Sequence, residues 1–286
     1  MLLLQPVSAL SVLPLTSAAC VRILIYTPMM QRRQIMQTQY FREYAHALGR
    51  DMEFKVFGHA GKPVLAFPSQ DGRFFDFQNN GMIDCIGHFI EEGRVQVFCC
   101  DSIDRETWSA TGGDGRARIE QHERWFAYIV DELAPRILDL NRQANGGALA
   151  GGILSTGCSM GGFHAANFFF RRPDVFDAVI ALSGLYDAHY CFGDFFDDLV
   201  YLNSPVDYLA GMPADHPYIA RYNQCKIAIC VGQGAWEHEM LPSNRCIAKI
   251  FYEKGIHGWV DFWGFDVAHD WCWWRAQLPY FMEKMV

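Results

Sequence analysis

The sequence predicts an α/β protein: a mostly parallel central sheet with helices packed on both faces. Three observations carry that prediction. From about residue 52 onward, short runs rich in β-branched or aromatic residues alternate with longer helix-patterned stretches. Several of the short runs are almost continuously apolar, as strands covered on both sides are. Hydrophobic residues make up 51% of the 286, against 20% charged, which is enough to bury a large core and argues against disorder.

In chain order, the strands are expected at Glu53–Gly58 and Pro63–Phe67, followed by a helix over 79–92 and a strand at Val95–Asp101. A long helix over 117–142 stops near Asn145-Gly146-Gly147, a helix-ending signal. Strand Gly152–Thr156, helix 160–171 and strand Ala178–Ser183 come next. The stretch Leu185–Gln224 has no strand–helix rhythm but is rich in aromatics and Asp, so it reads either as a functional lid or as an irregular cover over core edges. Strand Lys226–Val231, helix 243–254, strand Trp259–Trp263 and a terminal helix over 271–285 complete the pattern. No repeat or linker divides the chain, so residues 36–286 read as one domain with an irregular insertion at about 185–224.

The net charge of −8 makes nucleic acid and anionic membranes poor partners. Ten cysteines are scattered without a CxxC pair, mostly inside apolar runs such as Val97-Phe98-Cys99-Cys100; they read as reduced, and the protein as cytoplasmic. Residues 1–35 read as an N-terminal extension. Their uncharged start resembles a signal peptide, but the first basic residue is Arg22, after the apolar stretch, and Pro6 and Pro14 interrupt it. Met36 is an alternative start.

Residues 157–161 are Gly-Cys-Ser-Met-Gly, a GxSxG pattern between a predicted buried strand and a predicted helix. That context defines a nucleophile elbow, in which glycines at both ±2 positions permit a strained turn that lifts Ser159 Oγ to the carboxyl edge of the sheet. A serine hydroxyl needs a base, itself oriented by an acid, in the chain order Ser, acid, His for this strand–turn–helix arrangement. His269 lies in the loop after the last strand and is the expected base; His257, between a helix and a strand start, falls at the wrong end of the sheet. His164, His189 and His216 follow no late strand.

The acid is expected after strand Lys226–Val231, in Gly232–Glu239. Glu237 is preferred, with Glu239, Asp266 and Asp261 as the other candidates. An oxyanion hole requires two N–H groups. Met160 supplies one by position; Pro68 has none to give, so the second comes from Ser69, Gln70 or Asp71, and Gln70 is preferred. Cys158 reads as packing. The aromatics Phe262, Trp263, Phe265, Trp271, Trp273 and Trp274 bracket His269 and read as core or as pocket lining. The remaining histidines lack metal-like spacing, and Gly58-His59-Ala60-Gly61-Lys62 is not a phosphate loop.

Together these residues resemble the esterase family of α/β hydrolases, the group that includes esterase D and feruloyl-esterase-like proteins. The resemblance runs over about residues 40 to 285, through Leu48–Glu53, Val56–His59, Phe67–Phe74, Gly157–Gly162, Gly232–Glu237 and Asp266–Trp271. It implies an α/β-hydrolase fold, a catalytic His269 and a small-molecule ester substrate with no metal or organic cofactor. Family members commonly carry Asp in the loop where this sequence has Glu. The family also includes acyltransferases, so a serine carboxylic-ester hydrolase is expected first and an acyltransferase using the same residues second. A non-catalytic member, binding through the insertion, is the rival from another class. The aromatics of the insertion are also compatible with a homo-oligomer.

Overall fold

The computed structural model describes residues 36–110 and 112–286. The reading of residues 1–35 as an extension or signal lies outside these residues, as does Cys20. Eight strands form one sheet: β1 (Thr38–Ala45), β2 (Arg50–Phe57), β3 (Lys62–Phe67), β4 (Val95–Cys100), β5 (Ile153–Cys158), β6 (Phe176–Leu182), β7 (Lys226–Val231) and β8 (Trp259–Phe262). Their spatial order is β1-β2-β4-β3-β5-β6-β7-β8. The β1/β2 and β2/β4 pairs are antiparallel, and every pair from β4/β3 to β7/β8 is parallel.

The inner parallel strands β3 to β7 are buried on both faces, which explains their nearly unbroken apolar runs, whereas β8 at the edge is half-buried. Alternate residues feed two cores. Leu65, Phe67, Val179 and Ile229 pack beneath the long helical run of residues 115–144, the helix Met160–Arg171 and the helix Leu241–Lys254. Val64, Ala66, Ile180 and Cys230 pack on the opposite side against Phe77, Met82 and the terminal helix Trp271–Met285. Each large apolar side chain sealed this way contributes about 1.5–3 kcal/mol relative to exposure.

Outside the insertion, three elements differ from the sequence expectation. Strand β1 was not expected: it is an edge strand with mostly exposed side chains, so it carries no core stripe. It is held by its ladder to β2 and by cross-strand contacts such as Arg42–Asp51 and Tyr40–Glu53. The helix expected over 79–92 is three short helices, Asp76–Asn79, Met82–Cys85 and Gly87–Glu91, because Gly81 adopts a left-handed φ of 72° between the first two. The long helix is continuous from Gly115 to Ala144 but is π-helical over Tyr128–Leu133. Pro135, which has no N–H to return to the turn before it, follows directly.

The insertion is not irregular throughout. It holds four short helices, His189–Phe192, Asp198–Leu202, Pro205–Gly211 and Pro217–Tyr222. The nine described cysteines are all free thiols. Among the described residues, no helix is long and apolar enough to cross a membrane.

Candidate active site

Strand β5 runs straight into Ser159, whose φ of 58° and ψ of −125° are strained for a residue with a side chain. The strain is enforced by close approach. A Cβ on Gly157 would lie 2.2 Å from the Gly161 carbonyl, and one on Gly161 would lie 2.5 Å from the carbonyl oxygens of Phe67 and Pro68. The Ser159 N–H donates to the Leu182 carbonyl at 2.9 Å, while its own carbonyl accepts from Phe163 at 3.0 Å. Chain direction therefore reverses at the carboxyl end of the sheet with Oγ on the outside of the turn.

The loops after β7 and β8 meet this point. They are zipped together by backbone bonds from Gly234 N–H to the Val267 carbonyl (2.8 Å) and from His269 N–H to the Ala235 carbonyl (2.9 Å). Asp270 caps the terminal helix by accepting from the Cys272 N–H, which pins the end of the His269 loop. His269 Nε2 lies 2.9 Å from Ser159 Oγ, and its Nδ1 lies 3.2 Å from Glu237 Oε2. With Nδ1 protonated toward the carboxylate, Nε2 is left to accept the serine proton. The imidazole is packed edge-on against Trp274, with ring centroids 4.8 Å apart.

Glu237 is fully buried. Its other oxygen, Oε1, accepts from Ser183 Oγ (2.5 Å) and from the Gly232 N–H (3.3 Å), and Ser183 Oγ in turn accepts from Trp274 Nε1 (3.0 Å). The preceding residue, Trp236, is held at a left-handed φ of 67° with its ring in solvent. Sequence reasoning missed Ser183. Its signal was its position, the first residue past β6, where the next strand end of a parallel sheet brings it beside the acid.

The other acid candidates are engaged elsewhere: Glu239 accepts from Tyr190, Asp261 accepts from Trp263 Nε1, and Asp266 is exposed in its loop. His257 is exposed, with its N–H on Asn223. His164 is sealed beneath the elbow against Asp104. Burial pushes the Cys158 thiol well up, which leaves it packing the core.

Met160 opens the helix after Ser159, so its N–H has no intrahelical acceptor. Across from it, the Ser69 N–H is already bonded to Asp76 at 2.9 Å. Of the three donors considered after β3, that leaves Gln70 and Asp71. Asp71 sits at φ 58° with its carboxylate on Ser109, and Ser102 Oγ holds the Gly72 carbonyl. Gln70 and Met160 both line the cavity in front of Ser159, a space of about 90 Å³. Its apolar wall includes Trp108, Phe163, Leu185 and Met240, and its polar rim Asp187 and Glu239. None of the six aromatics around His269 lines it.

Burial also holds His122, under Trp108, well below the ordinary histidine value, at about 3. The hydrogen bond to Glu239 pushes the Tyr190 hydroxyl up to about 12. Asp187, His189 and Asp207 bring three ligand atoms within 4.8 Å of one another at the edge of the insertion. Asp187 and His189 already bond each other there, and Asp207 accepts from Ser204.

This sheet order, with a strained serine at the end of β5 and a histidine after β8, is that of a serine esterase of the α/β-hydrolase class. The chain belongs to the "Putative esterase" family, whose model matches residues 45–284. Solved structures that share the fold include the following three. A ferulic acid esterase is 16% identical, with a TM-score of 0.66 over 86% of this chain and 96% of its own. The S-formylglutathione hydrolase of Agrobacterium tumefaciens is 15% identical, with a TM-score of 0.63 over 88% and 96%. That of Staphylococcus aureus is 14% identical, with a TM-score of 0.61 over 87% and 96%. Among curated protein sequences, no match is found.

Proposed function

We propose that the protein hydrolyses carboxylic esters in two steps through an acyl-enzyme on Ser159. The supporting observation is the unbroken run of contacts from Ser159 Oγ to His269 Nε2 and from His269 Nδ1 to buried Glu237. In the first step, Oγ attacks the ester carbonyl carbon while its proton passes to Nε2. The imidazolium is stabilised by Glu237, and the oxyanion is held by the N–H groups of Met160 and Gln70. Collapse of the tetrahedral intermediate breaks the bond to the alcohol oxygen, which leaves with the proton from Nε2. Water then attacks the acyl carbon, gives its proton to the same nitrogen, and displaces Ser159 Oγ, which recovers that proton.

Each N–H aimed at the oxyanion contributes about 10²–10³ in rate in such sites. The test is intact-mass labelling with a fluorophosphonate, which reacts far faster with an activated serine than with other side chains and needs no knowledge of the substrate. A single adduct on wild type, absent in Ser159→Ala, is expected. No adduct on the folded wild type overturns the proposal.

A further inference from the structure

The cavity that opens onto Ser159 carries two carboxylates and no cation. Asp187 projects from the insertion and Glu239 from the acid loop, and neither Lys nor Arg lines the space. One oxygen of each is committed: Asp187 Oδ1 accepts from the His189 N–H at 2.9 Å, and Glu239 Oε2 accepts from Tyr190 at 2.5 Å. Those bonds fix the two groups. The His189 imidazole also lies 3.0 Å from Asp187 Oδ1 and the His238 imidazole 4.0 Å from Glu239 Oε1, but neither ring lines the space, so among the described residues the charged groups that face it are the two carboxylates. Arg118 lies behind the wall, but its N–H groups point at the backbone carbonyls of Thr107, Trp108 and Cys191 and make no carboxylate pair among the described residues.

Much of the remaining lining is aromatic or apolar. Trp108 and Phe163 meet edge to face with centroids 4.5 Å apart, and Leu185 and Met240 complete it. A small space with an aromatic wall and an anionic rim is complementary to an organic cation. Aromatic rings favour an ammonium group, and the two carboxylates, each nearly half exposed, add an attraction that solvent and salt screen in part. The same rim repels an anionic substituent by an equal amount.

We infer that this esterase selects substrates bearing an ammonium group close to the reacting ester, with Asp187 and Glu239 as the residues that set the preference. The inference rests on the hydrolase reading above and names its substrate class.

A matched pair of fluorophosphonates tests it on the full chain. One carries a 2-(trimethylammonio)ethyl arm and the other a 3,3-dimethylbutyl arm, which has the same shape without the charge. The readout is the second-order rate of Ser159 modification, each corrected for the reagent's own hydrolysis. Wild type is expected to react at least about fivefold faster with the cationic reagent. That ratio should shrink in Asp187→Asn and in Glu239→Gln, which keep the hydrogen-bond acceptors and remove the charges. It should also shrink at about 1 M salt, where the screening length is ~3 Å. A role in shape alone does not make the ratio salt-dependent. Equal rates with the two reagents, or a neutral preference, overturn this inference and leave the esterase reading standing. A cationic preference untouched by both substitutions and by salt also overturns it. Failure of both reagents to label Ser159 removes the esterase reading, and this inference with it.

Discussion

Among the described residues, two histidines each pair with a carboxylate that is sealed from solvent, and only one of the two also faces a serine hydroxyl. His269 reaches Glu237 through Nδ1 and Ser159 through Nε2, and its side chain is 14% exposed. His164, five residues after the nucleophile, reaches Asp104 through Nε2 at 2.8 Å and is sealed from solvent. Its Nδ1 and the second oxygen of Asp104 meet no partner among the described residues, whereas both oxygens of Glu237 are bonded. An imidazole beside a carboxylate is thus not in itself a catalytic unit. It becomes one when its second nitrogen faces a nucleophile and its acid is held by neutral donors that leave the charge on the imidazole side.

The comparison makes opposite predictions for the two acids. Glu237→Gln preserves volume but lets Nδ1 face an amide, so the tautomer and the imidazolium lose their support. Ester turnover should fall by about 10³–10⁴, measured as kcat, with little change in the urea midpoint. Retention of activity within tenfold would break the assignment of roles.

Asp104→Ala should do the reverse. Deleting one member of a fully buried pair leaves the other without its partner, at a cost of about 3–5 kcal/mol in unfolding free energy. Fluorophosphonate labelling of the remaining folded fraction should still occur. Asp104 sits in the segment after β4 that also carries Ser102, Trp108 and Ser109, which touch the oxyanion loop and the cavity. Loss of labelling with stability intact would move this pair into the catalytic machinery and erase the contrast.

How far the two pairs could be told apart from sequence alone follows from their physics. The elbow is local: Gly157, Ser159 and Gly161 lie within five residues, and the tight turn needs those residue types. His269 was readable because a loop after a late strand lies at the carboxyl edge of a parallel sheet. Glu237 was readable only as one of several acids, because its selection depends on Ser183 and Trp274, which arrive from β6 and the terminal helix. The cavity wall was readable only coarsely, as an aromatic insertion over 185–224 with two alternative roles. Trp108, Tyr190 and Met240 come from three separate segments, while the aromatics nearest His269 in sequence face elsewhere. Strand β1 was hidden for a different reason, since an edge held by backbone ladders has little need of an apolar pattern.

The inner pair has a neighbour that should reveal itself by pH. His122 stacks 5.8 Å from His164, accepts from Trp108 Nε1 at 2.9 Å through Nδ1, and faces Asn203 through Nε2. Glu123 and Arg171 add opposing charges nearby. Protonating Nδ1 would set it donor to donor against the Trp108 N–H. Burial accordingly holds this histidine down at about 3 in the folded state. The unfolded chain takes up its proton near pH 6.5, so His122 contributes its full stability above that value and loses it progressively as the pH falls toward 3. The slope approaches ~1.4 kcal/mol per pH unit for one such group. Urea unfolding between pH 6.5 and 5, above the main carboxylate range, should show it, and His122→Gln should flatten it. An unchanged slope in that variant removes His122 as the source.

The smallest effect belongs to the support of the outer pair. Trp274→Phe keeps an aromatic edge against His269 but removes the Nε1–H that donates to Ser183 Oγ. Ser183 still donates to Glu237, so the acid keeps its direct bonds and loses only the group that orients their donor. A neutral hydrogen bond of this kind contributes about 0.5–1.5 kcal/mol, which corresponds to a fall of roughly two- to tenfold in kcat. Ser183→Ala removes the direct bond and should cost more than Trp274→Phe, and the double variant should cost less than the sum because both act through one oxygen of Glu237. Strict additivity would mean that Trp274 acts by packing alone, and that the carboxylate of the outer pair is oriented by Ser183 and Gly232 without help from the terminal helix.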